Sequence, residues 1–202
     1  MTVDELITAV RAIVGDKLRE DPNNPGSYLQ GATKWTDPEI KAGLDWACQR
    51  YAEETRCSLT EASVTSGASG IVRITAGVLA VHGASGSSGA LERTSMDHED
   101  TRDPNWRANG TTEKRWMPWG DHAIRISPAL SGKAILVTYT ASPASVTGGS
   151  VDATIPAGHH NYLPLAAASY LLAQAGDTQD LNRAGAFQAS FYAMIGHPKG
   201  GS

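Results

Sequence analysis

Trp35-Thr36-Asp37-Pro38-Glu39-Ile40 is the stretch on which the fold turns. Thr36 followed three residues later by Glu39 is a capping box, in which hydroxyl and carboxylate reciprocally satisfy backbone donors that a helix start leaves unpaired. Trp35 just before the cap and Ile40 in the first turn form a hydrophobic staple that sets the angle of entry. The helix so announced is predicted to run to about Arg56. Its apolar face is Ile40, Leu44, Ala47, Cys48 and Tyr51, flanked by Lys41, Asp45, Arg50, Glu53 and Glu54. Upstream, Val3, Leu6, Ile7, Val10, Ile13, Val14 and Leu18 recur at helical spacing behind a second capping box, Thr2 with Glu5. Asp21-Pro-Asn-Asn-Pro-Gly26 breaks that helix, so the two helices are expected to form an αα-hairpin.

From Leu59 to Ile155 the apolar period becomes strand-like, with glycine and serine punctuation. Candidate strands are Ala62 to Thr65, Ile71 to Thr75, Val78 to His82, Leu91 to Ser95, Ala123 to Ser127 and Ala134 to Tyr139. The last two, joined by Pro128 to Gly132, are expected to pair as an antiparallel hairpin. Helical patterning returns near Pro164, with Gly176 as C-cap, and again after Asp177 or Thr178. That last helix places Leu181, Ala184, Phe187, Phe191 and Met194 on one face and stops at Gly196. The fold class expected is α+β: about four helices, two N-terminal and two C-terminal, in a bundle, with an inserted antiparallel β-sandwich or sheet. The corresponding segments are 1–57, 58–157 and 158–202.

A chain of 202 residues can bury its cores without metal or disulfide staples. Its apolar runs, such as Ala166 to Ala168, fall far short of a membrane span. The start, Met1-Thr2-Val3-Asp4-Glu5, lacks the basic and apolar regions of a signal peptide, so a cytoplasmic site of synthesis is expected. A net charge of −4 without clustered Lys and Arg argues against general nucleic-acid affinity. Cys48 and Cys57 are expected to stay reduced, because the first lies within a helix and the second just past its end.

Chemistry-bearing patterns are sparse. Asp97, His98, Glu99 and Asp100 lie in an acidic run, Met96 to Asp103, that reads as a solvated loop and lacks the order of an EF-hand. Adjacent His159 and His160 point in different directions and do not share a metal easily. Gly83 to Gly89 lacks the Lys of a phosphate loop and reads as a β-turn. No GxSxG elbow is present. Neither a catalytic residue, a metal site nor a cofactor is expected. Trp106, Trp116 and Trp119, interleaved with Arg107 and Arg115, stand apart. Such groups stack sugars or single-stranded bases, or else plug a β core or a seam between subunits, the reading favoured here because Trp and Arg anchor interfaces.

Taken in order, these features resemble the head-to-tail adaptor proteins of tailed bacteriophages, which look related to the tubular tail proteins of short-tailed phages. The resemblance begins with the N-terminal helix and Trp35 to Ile40 and continues through Leu91-Glu-Arg-Thr-Ser-Met-Asp97 and Trp106. Ile124-Arg-Ile-Ser-Pro128, Ala134 to Tyr139, Ile155-Pro156 and His160 follow, and Asp177 to Phe191 closes it. It implies a structural virion protein forming a dodecameric ring below the portal, extending the DNA channel and joining capsid to tail. Its implied partners are further copies of the chain, the portal protein, a tail or nozzle/stopper protein, and genomic DNA passing without sequence-specific contact, with no membrane. The candidate interface comprises Trp35, Trp106, Arg107, Arg115, Trp116, Trp119, Phe191, Tyr192 and His197. Two alternatives stay open: a glycan- or receptor-binding virion module using the tryptophans, and a small hydrolase.

Overall fold

The computed structural model describes residues 1–15, 34–74, 77–108, 110–120, 122–175 and 178–196. The chain divides into two compact units, one comprising Met1–Cys57 with Pro143–Ser202 and the other Ser58–Ser142. The fold is α+β, with five α-helices and two four-stranded sheets among the described residues.

In the first unit α1 spans Val3–Val14 and α2 Asp37–Thr55, and both begin with the complete capping box that the sequence announces. Such a cap contributes roughly 1 kcal/mol. α1 stops at Gly15, whose φ of 77° is the left-handed geometry that glycine adopts without penalty. Leu18 and the Asp21 to Gly26 breaker lie outside the described residues. α4 (Leu163–Ala175) packs against α1, α2 and α5 (Thr178–Met194). Being surrounded, it is apolar on nearly every side, with Leu163, Ala166, Ala167, Ala168, Leu171 and Leu172 all buried. Gly43 of α2 lets the two backbones approach closely, since a Cβ there would sit 3.3 Å from the Ala167 carbonyl.

The expected apolar face of α5 is only partly used. Ala184 and Phe191 are buried and Phe187 half-buried, whereas Leu181 and Met194 at its ends are 49% and 51% exposed. Polar contacts add to that packing: Arg183 donates to the carbonyls of Ile13 and Val14 at the end of α1, and to Asp180 within its own helix. Gly176 and Asp177 lie outside the described residues. Residues 143–157, grouped by their sequence with the β insert, belong with the helices. Val146, Val151 and Ile155 join the helical core, and Asp45 of α2 accepts from the Val146 amide and the Ser145 hydroxyl, both at 2.7 Å.

The second unit holds β1 (Leu59–Thr65), β2 (Ile71–Arg73), β3 (Val78–Gly86), β4 (Gly89–Ala90), β5 (Glu92–Arg93), α3 (Met96–Arg102), β6 (Arg115–Pro118), β7 (Ala123–Ser127) and β8 (Ala134–Ala141). One sheet has the order β1-β8-β3-β4, the other β2-β7-β6-β5. Val72, Trp116, Ile124 and Ile126 from one and Val78, Ala84, Ile135 and Val137 from the other share one core. The pairing is antiparallel except between β5 and β6, which run parallel, so the wholly antiparallel expectation fails there. The expected β7–β8 hairpin also does not form, because the two strands lie in different sheets. Ser66 is the physical reason. It exchanges backbone bonds with Lys133 and Gly132, and its hydroxyl donates to the Leu130 carbonyl and accepts from the Lys133 amide. The connection is thereby fastened to the end of β1, and β8 pairs with β1 from Thr65 opposite Ala134 to Leu59 opposite Thr140.

Candidate functional site

The tryptophan segment gathers on the second sheet. Trp116 on β6 alternates inward and is 1% exposed, its ring part of the β core with Arg93 5.5 Å above it. Trp106, 2% exposed, is brought in by α3. Ser95 caps that helix by accepting from the His98 amide, and Asp100 then accepts from the Trp106 indole nitrogen at 2.7 Å. Arg107 covers Trp106 at 4.6 Å and pairs with Asp100 at 3.3 Å. Trp119, half-buried just after β6, lies on the other side of a side chain the sequence does not single out. Arg125 of β7 has its guanidinium 4.9 Å from the Trp106 ring centre and 4.8 Å from that of Trp119. Its Nε donates to the Ser69 carbonyl at 3.1 Å.

The acidic run 96–103 is thus a helix, not a solvated loop, and Glu99 is its inward residue. Arg115 Nη1 donates to both Glu99 oxygens at 3.2 Å, Ser127 Oγ donates at 2.8 Å and Thr94 Oγ1 at 3.1 Å. Burial pushes this carboxyl up, but the hydroxyls of Ser127 and Thr94 and the Arg115 charge outweigh it and hold the group below its ordinary range. Arg115, also paired with Glu92 at 3.2 Å, is therefore committed to its own unit. The adjoining cleft of about 330 Å³ is lined by Glu99, Arg102, Asp103, Trp106, Lys114 and Arg115. That charged lining differs from the mostly apolar walls of small-molecule sites.

A second buried acid, Glu113, fastens the turn between β3 and β4. Its Oε1 accepts from the Ser87 amide and hydroxyl, and its backbone carbonyl from Ser88 Oγ. The Ser87 hydroxyl is the main cause that lowers its pKa, with burial opposing.

The remaining candidates lie in the helical unit. Trp35 is 8% exposed and Phe191 1%, so both serve that unit's own core, while Tyr192 is half-buried and accepts from Arg50 Nη2 at 2.7 Å. His197 lies outside the described residues. Cys48 and Cys57 are free thiols, and burial pushes Cys48 up to about 12. His159 Nδ1 meets the Tyr51 hydroxyl, and His160 Nε2 meets the Ile155 carbonyl. Among the described residues no group of three or more His, Cys, Asp or Glu side chains is placed to hold a metal ion. No described helix is long and apolar enough to cross a membrane.

Glu99, Glu113 and Arg125 escaped the sequence reading because a charged residue in an acidic run, a loop or a short strand looks solvent-facing. In β7 all five residues are buried, so the alternation that normally marks a buried position is absent.

The described residues of this segment build an aromatic-braced β unit. No curated protein matches the chain. The SU10 adaptor protein family matches it from residue 1 to residue 200. With capped helices, a β insert and braced tryptophans in the order expected of such a protein, the chain belongs to the SU10 adaptor family of phage head-to-tail adaptors.

Proposed function

We propose that the protein is a structural virion component at the head-tail junction, forming a ring below the portal that extends the DNA channel and carries the next tail component. The observation that carries this reading is the family match over residues 1–200. The helices, contributed by 1–57 and 158–202, would form the bundle that holds the ring, with the β insert meeting neighbouring copies or the tail. Twelve-fold stoichiometry follows the portal's implied symmetry, and a net charge of −4 suits a channel wall over which DNA slides without being held. The burial of Trp106 and Trp116 supports their role as braces, and of the three rings proposed for a glycan-binding module it leaves Trp119 half-buried.

The test is the mass of the full-length chain, alone and mixed with its portal ring. A discrete oligomer, alone or on the portal, is expected. A chain that stays monomeric in both conditions overturns the reading.

A further inference from the structure

We propose that Arg125, between Trp106 and Trp119, is the floor of a carboxylate-binding slot that receives an Asp or Glu side chain of a second copy of this chain. The proposal rests on the ring reading. Arg125 is 7% exposed, on a strand whose five residues are all buried. The two indole rings have their centres 4.9 and 4.8 Å from its guanidinium carbon, and Nε is satisfied by Ser69. Among the described residues nothing accepts a hydrogen bond from Nη1 or Nη2, the two nitrogens that form the fork for a carboxylate.

A buried cation without an anion is costly, and proteins seldom leave one so. By contrast Arg115, at 17% side-chain exposure, has Glu92 and Glu99, and the more exposed Arg50 has Glu53 and Glu54. Burial and the neighbouring Arg107 charge press Arg125 toward its neutral form, and the opposing acid, Asp100, is already engaged by Trp106 and Arg107.

The local charge selects the occupant. Arg107 is matched by Asp100, so the slot presents one uncompensated positive charge. A single carboxylate neutralises that. A DNA backbone calls for clustered cations, which a chain of net charge −4 does not supply. Acids outnumber bases, 21 to 17, and exposed Asp4 and Asp97 carry carboxylates that accept no bond from any described residue. In a ring each contact is heterologous, so an acid on one flank of a copy can meet Arg125 on the opposite flank of the next.

The test uses the full-length chain in two arms. In the first, Arg125→Lys places an amine where the guanidinium was. Isotopically light and heavy chains are mixed, assembled and treated with a water-soluble carbodiimide, which joins an amine to a carboxylate in contact with it. Mixed-isotope cross-links from position 125 to an Asp or Glu are expected, and they identify the partner residue. Oligomers that form yet give only same-chain links, or none from position 125, overturn the proposal.

The second arm needs no substitution. Indole N–H signals of the monomeric chain are followed during titration with acetate, dimethyl phosphate or chloride at equal ionic strength. Trp106 and Trp119 should shift with acetate and not with chloride, while Trp46 stays still. No acetate shift, or a shift with dimethyl phosphate alone, refutes the slot as a carboxylate site. Absence of any oligomer, by contrast, counts against the ring and leaves the second arm to judge the slot.

Discussion

Replacing Glu99 with Ala tests the organisation of the second sheet directly. The Glu99 side chain is 2% exposed, and its removal strands the Ser127 and Thr94 hydroxyls and half-strands Arg115, which keeps Glu92. Removing one partner of a buried ion pair costs about 3–5 kcal/mol. Arg115, at 17% side-chain exposure, recovers some hydration, so the lower end applies, about 3 kcal/mol. At roughly 2–4 °C per kcal/mol for a chain of this length, the melting temperature falls by about 6–12 °C.

The assay is calorimetry, with denaturant unfolding followed by circular dichroism. A loss below about 1 kcal/mol would refute the reasoning, because it would mean that the donors find other acceptors at little cost. Glu99→Leu combined with Arg115→Met removes both charges and should recover a large part of the loss. The acid response has a definite sign. Because the folded-state pKa of Glu99 lies below its ordinary 4.5, its stabilisation is complete above that value and disappears as pH falls through the lower folded value.

Two further outcomes can be checked in the same way. Gly70 has a φ of 70°, and a Cβ there would lie 2.7 Å from the Ala129 backbone, so Gly70→Ala should lower stability by about 2 kcal/mol or more, read as a shift in denaturant midpoint. Glu113→Gln removes the charge that holds Ser87, and amide exchange at Ser87 should quicken in the variant, and in the parent protein once pH falls below the ordinary carboxylate range. Unchanged exchange at Ser87 in both would show that the turn does not depend on Glu113.

The helical unit was the more legible half. Capping boxes at Thr2 and Thr36 are local chemistry, satisfied within four residues, so they read the same in sequence and in structure. The β unit depends on contacts between distant residues. Ser66 bonding to Leu130 and Lys133 decides which sheet β8 enters, and no spacing rule in the sequence reveals a bond across 64 residues. The short strand β6 was missed because it ends at Pro118, and the burial of Trp106 depends on a seven-residue helix whose acidic sequence resembles a loop. Nothing sequential marks Arg125 as lying between Trp106 and Trp119. The tryptophans were visible, but what they enclose was not.

The chain enters and leaves the β unit at one point. Ser58 accepts from the Ala141 amide at 3.0 Å, and its hydroxyl donates to the Ala141 carbonyl at 2.6 Å, so the two ends of an 85-residue unit, Ser58 to Ser142, are pinned together one residue short of its last. Closing so narrow a gap costs little loop entropy whatever is inserted there. The β unit is therefore a cassette: recombination between related phage genomes can exchange it for another of different size while both flanking segments keep their own caps and core.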